Sequence, residues 1–519
     1  MNEAPKKIIQ NTFTNAAGFV YIFISNILLL PFILHSIGAE VFGSVWVVIG
    51  ALTAYIGLLD LGTGTAFVKY IAQYHTQNLK DDILETITSG VVLYFVLSVL
   101  IAGTVLVFDI PLLTFVGVPN KYLYDAQFVL RVSVIIYILV GVSSPVTAVV
   151  SALQRMDITF YTTMVVQTWT IICTVIVLNH GEGVRGLILV NLTSSLISIA
   201  ILAYVAKKEI PFLAIVPRYI SWDKCKIFLN YGINIQISKF GQIIMFQTDR
   251  VLTLKLFGPL TTTYYDIGAR LTNSGRSFTG ILITALVPAV SSIDAQNNTR
   301  QLSALYIRGT KYLLITASCF FVFVSVFAEY IITVWLGEGY VSAVIITRVL
   351  SIGYFFNIIT GVASSMTAGL GKTNLDRNYG IIVSISNILF VLAGAALFGS
   401  VGIAVGTTIS FLTGAAYFIA VFNRSIGEKN INIYKLLFKP VFTALFCALP
   451  IYWIATTFMM NLTRFHQGIV LAFILILYGL LYIVGIRYLS LLDDYDKGIV
   501  HSIVNKMRNT VKGFINGQH

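Results

Sequence analysis

Residues 131–157 read RVSVIIYILVGVSSPVTAVVSALQRMD, with no charged residue between the two arginines. A helix needs about 20 predominantly apolar residues to cross a bilayer, so this stretch predicts a transmembrane helix. Residues 348–374 read RVLSIGYFFNIITGVASSMTAGLGKTN and follow the same pattern. At an offset of 217 the initial Arg-Val pair coincides, and so do Leu153 and Leu370. The two stretches are therefore interpreted as copies of one helix.

Other regions repeat at nearly the same offset. The further matches are GVRGLILVNLTSSL (183–196) with GSVGIAVGTTISFL (399–412) at 216, and Gly38 with Gly258 and residues 77–78 with 297–298 at 220. The matches keep their order and a near-constant offset, which indicates an internal duplication. Each copy holds six spans, an even number, so the two repeats are predicted to be parallel.

The composition excludes a chain of soluble domains. Hydrophobic residues make up 57% of the 519 residues, charged residues 11%, and the mean hydropathy is +0.85. Soluble domains carry roughly 25% charged residues. Fourteen predicted spans lie near 13–34, 43–66, 86–108, 125–151, 158–179, 186–206, 227–257, 262–290, 309–335, 341–369, 379–398, 400–423, 437–459 and 466–488.

The predicted fold class is an all-α integral membrane protein of about 14 transmembrane helices. Two six-helix lobes are related by the internal repeat, and a C-terminal helical hairpin follows them. The predicted parts are an N-terminal lobe (1–210), a cytoplasmic linker (211–226), a C-terminal lobe (227–430), an extra transmembrane hairpin (431–488) and a basic amphipathic cytoplasmic tail (489–519).

The basic residues are distributed unevenly among the loops. With a cytoplasmic N-terminus, the inner segments hold 24 of the 34 Lys and Arg residues, the outer loops hold 4, and the spans hold the other six. Positively charged loops stay in the cytoplasm, so this bias predicts both termini there. The net charge of +12 then reflects orientation, and no nucleic-acid partner is expected. The tail is interpreted as a helix on the anionic membrane surface, with a frayed tail as the alternative.

The sequence contains no complete motif for nucleotide binding, metal binding or covalent catalysis. The sequence GKT at 371–373 lacks the Walker glycine, because Met366 stands five positions before Gly371. The six histidines never occur at i, i+4, and the four cysteines are widely scattered. No loop before the tail is long enough for a soluble catalytic domain. We therefore expect no cofactor, no resident metal and no enzymatic activity.

Charged residues inside spans mark function, because they are costly in hydrocarbon. They are concentrated in the seventh and eighth spans, at Lys239, Asp249, Arg250, Asp266, Arg270 and Arg276. At 1.5 Å per residue, Lys239 and Arg270 lie roughly 16 and 14 Å deep. One interpretation is a cationic cleft that binds an anionic ligand through Arg270, Lys239, Arg276 and Arg250, because the guanidinium fork suits phosphate. The alternative is local pairing, which the i, i+4 spacing of Asp266 and Arg270 favours.

Carboxylates in the spans are candidates for ion coupling. Asp60, Asp266 and Asp249 are the candidates to carry a proton or Na⁺, although Asp60 equally suits a hydrogen bond at the end of a helix. Arg131 and Arg348 are equivalent in the repeat and lie near the outer ends of their spans. For both arginines, snorkelling or a structural bond is favoured over substrate binding.

Two longer segments resemble a known family. Residues 37–72, IGAEVFGSVWVVIGALTAYIGLLDLGTGTAFVKYIA, resemble the opening segment of polysaccharide biosynthesis flippases of the O-antigen type. Residues 247–275, QTDRVLTLKLFGPLTTTYYDIGARLTNSG, look like a later segment of that family. With ALQRMD (152–157) and GLGKTN, the resemblance covers most of residues 10–425. The chain is identified as a member of the multidrug/oligosaccharidyl-lipid/polysaccharide (MOP) exporter superfamily.

The resemblance implies alternating access between two six-helix lobes in the bacterial inner membrane. It implies a polyprenyl-pyrophosphate-linked oligosaccharide, such as an O-antigen unit, as the substrate turned from the inner to the outer leaflet. The implied partners are this lipid-linked substrate, membrane lipids, a polysaccharide polymerase and chain-length machinery. Many O-antigen flippases have twelve spans, whereas the extra hairpin is similar to the fourteen-span arrangement of lipid II flippases.

Two other functions are weighed against a flippase. A cation-coupled exporter of drugs or metabolites on the same fold would favour intramembrane acids, whereas the spans hold six bases and four acids. A membrane-embedded transferase would need an acid or histidine cluster at one interface, and the sequence shows none. The flippase is therefore the preferred interpretation, with the exporter as its alternative.

Overall fold

The computed structural model describes residues 3–57, 63–284, 286–296, 298–427, 430–459 and 462–489, together with Leu491 and Asp496. The side chains of 3–17, 231–239 and 431–435, and of a few single positions, are not described. All secondary structure of the described residues is helical, in agreement with the predicted fold class. The predicted amphipathic helix of the tail lies outside the described residues.

The helices of the first half are, in chain order, α1 (Glu3–Ile37), α2 (Ala39–Val41), α3 (Val48–Ile56), α4 (Thr63–Thr76), α5 (Lys80–Phe115), α6 (Leu123–Ala152), α7 (Met156–Asn179) and α8 (Gly183–Glu209). A π-helical stretch, Phe42–Val47, joins α2 to α3, so that Ala39–Ile56 forms one continuous helix.

The helices of the second half are α9 (Trp222–Phe257), α10 (Pro259–Thr284), α11 (Leu286–Asp294), α12 (Thr299–Val326), α13 (Ala328–Leu336), α14 (Val341–Ile359), α15 (Gly361–Gly369), α16 (Thr373–Ile426), α17 (Asn430–Met459) and α18 (Arg464–Tyr488). Capping side chains begin two of them. Ser221 accepts from the backbone N–H of Lys224 ahead of α9, and Asn298 accepts from that of Gln301 ahead of α12.

The described helices are compatible with fourteen spans. Ten helices of the described chain are long and apolar enough to cross a membrane. One of them, α16, holds two predicted spans, because Gly399 interrupts its helical backbone with φ 62° and ψ −143°. The remaining three predicted spans begin in α1, α9 and α10.

The internal repeat is visible in the backbone. Residues with positive φ stand at matching positions of the two copies, with the offsets of the sequence repeat. The pairs are Gly38 (80°) with Gly258 (83°), Gly117 (91°) with Gly337 (97°), Gln154 (56°) with Gly371 (68°), and Gly183 (57°) with Gly399 (62°). Positive φ is costly for residues with a Cβ atom. The first copy nevertheless keeps this turn conformation at Gln154, the position that Gly371 occupies in the second copy. The predicted duplication is confirmed in the local structure.

An ion pair is repeated along with the backbone. Arg131 Nε donates to Asp109 Oδ2 over 2.8 Å in the first copy. In the second copy Arg348 Nη2 donates to Glu329 Oε2 over 3.4 Å. The two acids are 220 residues apart and the two arginines 217. Both arginines therefore make a structural bond, one of the two roles predicted for them.

A hydroxyl pair is repeated in the same way. Thr170 Oγ1 and Ser194 Oγ lie 2.7 Å apart between α7 and α8. Ser386 Oγ and Ser410 Oγ lie 3.1 Å apart between the two parts of α16. Each residue is separated from its counterpart by 216 positions, so the duplicated helices also share an interhelical polar contact.

The chain divides into two compact units. The first comprises Met1–Arg270 and Thr373–Gly414, and the second comprises Leu271–Lys372 and Ala415–His519. Both α10 and α16 contribute to each unit. The lobes 1–210 and 227–430 remain a prediction from the repeat.

The extra hairpin packs within the second unit. Side chains of α12, α17 and α18 form one apolar core that includes Phe323, Phe327, Ala448 and Tyr478. The hydroxyl of Tyr478 donates to the carbonyl oxygen of Cys319 over 3.0 Å, and that of Tyr482 to the carbonyl oxygen of Ile315 over 2.8 Å. The predicted hairpin 431–488 is thus attached to α12.

Candidate functional site

The candidate site is built from two consecutive helices, α9 and α10. Gly258 ends α9 with φ 83°, and Pro259 begins α10. Arg250 and Asp266, each eight residues from Gly258, meet across the turn. At 1.5 Å per residue their contact lies roughly 12 Å from the turn. That is well inside a hydrocarbon core of about 30 Å.

Asp266 is shared by two arginines, and we call these three residues the Arg–Asp–Arg cluster. Arg250 Nε donates to Asp266 Oδ1 over 2.8 Å, and Arg270 Nε donates to Asp266 Oδ2. The side chain of Asp266 is 2% exposed, that of Arg250 16% and that of Arg270 40%. The predicted i, i+4 pair is therefore present, and a second arginine joins it. One negative charge faces two positive charges, so the cluster keeps a net positive charge.

Further contacts hold the two guanidinium groups in place. Arg250 Nη1 donates to the carbonyl oxygen of Phe246 and to Gln247 Oε1 over 2.8 Å. The guanidinium carbon of Arg270 lies 5.7 Å from the centre of the Phe42 ring, within the range of a cation–π contact. Arg270 is the more exposed of the two arginines and retains donors that the Asp266 bond does not use.

Close helix packing positions the start of α10. A Cβ atom on Gly43 would lie 2.1 Å from the carbonyl oxygen of Pro259, so only glycine permits this approach. Gly43 belongs to the π-helical stretch Phe42–Val47, and such stretches occur frequently at functional sites. The same stretch supplies Phe42, so the helix that supports α10 also contacts Arg270.

Asp249 lies in a separate cluster of buried oxygen-bearing side chains, which we call the Asp249 cluster. Its members are Asp249, Tyr265, Asn387 and Thr407, between 0% and 3% exposed. The hydroxyls of Tyr265 and Thr407 both donate to Asp249 Oδ2, the latter over 2.6 Å. Asn387 Nδ2 lies 3.5 Å from Thr407 Oγ1. The hydrogen bonds to Asp249 Oδ2 thus come from two hydroxyls, and the positive charge of Arg250, the neighbouring base, also acts on this carboxylate.

Two acceptors in the Asp249 cluster are unsatisfied. Asp249 Oδ1 and Asn387 Oδ1 are buried without a hydrogen-bond partner among the described residues. A buried carboxylate without a full set of partners is costly, and a bound proton or cation removes that cost. The cluster therefore has the chemistry of an ion-binding site.

The charges of both clusters are specific to the second copy of the repeat. At the offset of 220, the counterparts of Asp249, Arg250, Asp266 and Arg270 are Leu29, Leu30, Trp46 and Gly50. The first copy makes the corresponding helices, α1 and Ala39–Ile56, without these charges. The charges are therefore not a requirement of the helical scaffold, which favours a functional role for them.

The other predicted site residues lie elsewhere. Arg276 belongs to the second unit, where its Nη1 lies 3.4 Å from Asn273 Oδ1. Lys239 is on α9, and its side chain lies outside the described residues. Asp60 also lies outside the described residues. The structure thus brings together Arg250, Asp266 and Arg270, and α16 adds Asn387 and Thr407 to the Asp249 and Tyr265 of the same two helices.

The sequence interpretation missed three members of the Asp249 cluster. Asn387 stands inside the predicted span 379–398, and an amide in the interior of a span was a usable signal. Tyr265 and Thr407 gave no such signal, because both residue types are common in transmembrane helices and a threonine hydroxyl commonly bonds to its own backbone. Thr407 lies 158 residues from Asp249 in the chain, so only the fold reveals their contact.

Comparison with known proteins adds three relationships in sequence. Residues 8–294 match the model of the family described as "Polysaccharide biosynthesis protein". An uncharacterised membrane protein of Methanocaldococcus jannaschii is 21% identical over 457 residues, covering 86% of this chain and 88% of that protein. A Shigella flexneri protein named "Putative O-antigen transporter" is 21% identical over 373 residues, covering 71% of this chain and 86% of its own.

Solved structures share the fold. The lipid II flippase MurJ, in an inward closed conformation, gives a TM-score of 0.68 at 14% identity, covering 93% of this chain and 99% of its own. A multidrug resistance MATE family transporter of the MOP superfamily, in an inward-facing conformation, gives a TM-score of 0.66 at 16% identity, covering 82% of this chain and 96% of its own. The fold described above is therefore a MOP-superfamily fold.

Proposed function

Because the chain belongs to the polysaccharide biosynthesis protein family, we propose that it is a flippase for a polyprenyl-pyrophosphate-linked oligosaccharide. The substrate class is an O-antigen unit or a related repeat unit of a surface polysaccharide. The protein turns it from the inner to the outer leaflet of the bacterial inner membrane by alternating access. In this proposal both termini are cytoplasmic, and a polysaccharide polymerase with its chain-length machinery uses the product.

The Arg–Asp–Arg cluster is the observation that carries this proposal. A pyrophosphate brings two or more negative charges into the membrane, and it needs a pre-placed positive counterpart there. The cluster keeps a net positive charge, and Arg270 is 40% exposed and has donors, in a planar fork that matches phosphate oxygens, that its bond to Asp266 does not use. Lys239 is proposed as an additional contact for the head group, and Arg276 is kept as a separate proposed substrate-binding residue.

The Asp249 cluster is proposed as the ion-coupling site. Its carboxylate, hydroxyl and amide oxygens are ligands that suit a proton or Na⁺, and Asp249 Oδ1 and Asn387 Oδ1 have no hydrogen-bond partner in the part of the chain that the structure describes. Asp249 and Arg250 are neighbours in α9, so occupancy of this site changes the electrostatic field at the substrate-binding arginine. An ion that binds one state better than the other shifts the equilibrium between the states. Asp266 is less suited to this role, because two arginines already bind it.

Reconstitution tests the proposed function directly. The purified full-length chain is placed in liposomes containing a fluorescently labelled undecaprenyl-pyrophosphate N-acetylhexosamine, and dithionite measures the fraction of label in the outer leaflet over time. Wild-type protein should accelerate exchange, and the double variant Arg250→Ala, Arg270→Ala should not.

The matched control is Arg348→Ala, which also removes an arginine from an ion pair but lies outside both clusters. It should exchange the lipid at the wild-type rate. Exchange by the double variant at the wild-type rate would contradict the role of the Arg–Asp–Arg cluster. A wild-type protein that moves a cationic dye but not the lipid would instead support the exporter alternative.

A further inference from the structure

A polar cavity in the first unit has no role in the function described so far. Its volume is about 660 Å³, within the range of roughly 300–1,000 Å³ typical of ligand pockets. It is lined by residues of α3, α6, α7 and α8, well represented by Thr53, Ser133, Tyr137, Ser144, Asn191 and Ser198. We call it the hydroxyl-lined cavity.

The lining of this cavity combines neutral polar side chains with apolar ones. Ten of its sixteen lining residues carry a hydroxyl or an amide, and none of these described residues is charged. In a bilayer, polar groups must be satisfied by protein, water or ligand. Several of these hydroxyls donate to backbone carbonyl oxygens of their own helices, so it is their lone pairs that face the open volume.

Hydroxyl oxygens that line the cavity can accept hydrogen bonds from a ligand. Thr53 Oγ1 donates to the carbonyl oxygen of Ile49 over 2.9 Å, and Ser133 Oγ donates to that of Val129 over 2.7 Å. Each hydroxyl has one proton and two lone pairs, so a hydroxyl whose proton is committed to its own helix offers acceptors to a ligand. A ligand rich in O–H and N–H donors and free of charge complements such a surface.

Four of the ten polar lining positions lose their polar side chain in the second copy of the repeat. The counterparts of Ser133 and Ser195, at offsets of 217 and 216, are Leu350 and Phe411, both 0% exposed. That of Ser144 is Gly361, where even a Cβ atom would lie 2.5 Å from Ile283 Cδ1. The second copy thus has an apolar side chain or a glycine at four of the positions that are polar around the cavity, whereas the other six counterparts are polar. The Arg–Asp–Arg cluster, by contrast, has charged residues that the first copy lacks at the corresponding positions.

The cavity and the Arg–Asp–Arg cluster are connected through one helix. Thr53 of α3 lines the cavity, and two positions further on Tyr55 is bonded to Thr248 of α9, with the two hydroxyl oxygens 2.6 Å apart. Thr248 is two residues before Arg250. All of these residues belong to the first unit.

From this arrangement we infer that the hydroxyl-lined cavity binds the neutral glycan of the substrate while the Arg–Asp–Arg cluster binds its pyrophosphate. The inference rests on the proposed function and adds to it a separate subsite for sugar. A sugar presents several hydroxyl donors and no charge, which is the complement of this lining.

Binding of two lipids that differ only in the sugar tests the inference. Purified full-length protein in lipid nanodiscs is titrated with undecaprenyl pyrophosphate and with undecaprenyl pyrophosphate carrying one N-acetylhexosamine. Wild type should bind the sugar-bearing lipid more tightly. The triple variant Ser144→Ala, Asn191→Leu, Ser198→Ala should bind both lipids with the affinity that wild type has for the sugar-free lipid.

Each lost neutral hydrogen bond should weaken binding by about two- to tenfold. Ser198→Ala alone, which removes one hydroxyl from a partly exposed position, keeps the test valid if the triple variant fails to fold. Thr104→Ala is the matched control, because Thr104 also donates to its own helix but lies outside the cavity, and it should change neither affinity.

The outcomes separate the two proposals. Equal wild-type affinity for the two lipids, or an equal effect of the cavity variants on both, overturns the sugar subsite. Failure of wild type to bind either lipid instead overturns the proposed function. Loss of both affinities in Arg270→Ala with loss of only the sugar-dependent part in the cavity variants supports both.

Discussion

At Asp266 one carboxylate has two guanidinium partners, and these partners differ in exposure. Arg250 is 16% exposed and Arg270 is 40% exposed. Loss of a buried partner leaves a charge in a poorly solvated place, whereas an exposed ion pair contributes little to stability. The effects of substitution on stability and on ligand binding should therefore separate at these two positions.

Arg250→Ala should lower the free energy of unfolding by up to about 3 kcal/mol, the low end for a buried pair, because Arg270 still compensates Asp266. Arg270→Ala should lower it by less than about 1 kcal/mol. Both variants should lose lipid exchange. Denaturant unfolding in detergent measures the first effect, and the liposome assay measures the second. Equal destabilisation by the two substitutions would show that the difference in exposure does not matter.

Arg270→Lys should restore only part of the activity that Arg270→Ala loses, because an ammonium group replaces a fork that can donate in pairs. The double variant Arg270→Ala, Asp266→Ala should remain inactive if Arg270 binds the substrate. Recovery of surface polysaccharide in the double variant, measured by complementation, would mean that Arg270 merely neutralises Asp266.

Asp249→Asn and Thr407→Val should uncouple transport from its driving ion. Both substitutions keep the side-chain size while removing a charge or a hydroxyl from the Asp249 cluster. The Na⁺ and proton gradients are collapsed one at a time. Collapse of the gradient of the coupling ion should slow wild-type exchange in liposomes, and the variants should be insensitive to it. Thr413→Val is the control. Like Thr407, Thr413 lies on α16, but the contacts described for its hydroxyl are all with its own helix backbone, so this variant should behave as wild type. A gradient response that persists in Asp249→Asn would place the coupling ion elsewhere.

Helix α16 shows how an element of 54 residues contains two spans. Gly399 adopts φ 62° in its middle, and the parts before and after it approach closely. A Cβ atom on Gly402 would lie 1.8 Å from the carbonyl oxygen of Gly394, and one on Gly406 would lie 2.3 Å from that of Phe390. Glycines therefore permit contact between backbones, as in other small-residue interfaces of membrane helices.

Gly402→Ala should abolish folding or strongly reduce the amount of protein in the membrane, since backbone atoms cannot move away from the new methyl group. Gly399→Ala meets no neighbour within 4 Å and should cost only the strain of its backbone conformation, about 1–3 kcal/mol. Gly380→Ala, in the same helix with open space around it, should be neutral or slightly stabilising. Membrane yield and melting temperature of the three variants rank these effects. Equal yields for all three would contradict the close packing.

The transmembrane helices were predictable from the sequence, because the hydropathy of a segment indicates whether it lies in the bilayer and the charge of a loop indicates on which side it lies. The duplication was predictable as well, since Gly38, Gly258 and the motifs near Leu153 and Leu370 keep their spacing. The Asp266–Arg270 pair followed from its spacing of four residues. Contacts between distant segments did not follow, because nothing in a single sequence links Asp249 to Thr407 or Tyr55 to Thr248. The cavity also escaped notice, because its serines are individually ordinary for a membrane helix.

Topology is the prediction that concerns the whole chain. The ratio of 24 inner to 4 outer basic residues predicts that reporter fusions at His519 and in the 424–436 loop are cytoplasmic. A fusion near Asn461 should lie outside. Alkaline phosphatase and fluorescent protein fusions distinguish the two sides. A reporter at His519 that is active outside the cytoplasm would require an odd number of spans.

The attachment of α17 and α18 has a consequence for how such a chain arises. The hydroxyls of Tyr478 and Tyr482 donate to carbonyl oxygens of α12. A helix carbonyl has a second lone pair, so it keeps its own helical bond with or without the tyrosine. For these two contacts, the hairpin requires no matching substitution in the helix that receives it, and its removal leaves no unsatisfied carbonyl behind. A fourteen-span protein can therefore descend from a twelve-span ancestor through a single extension of its gene, and the reverse loss is equally simple.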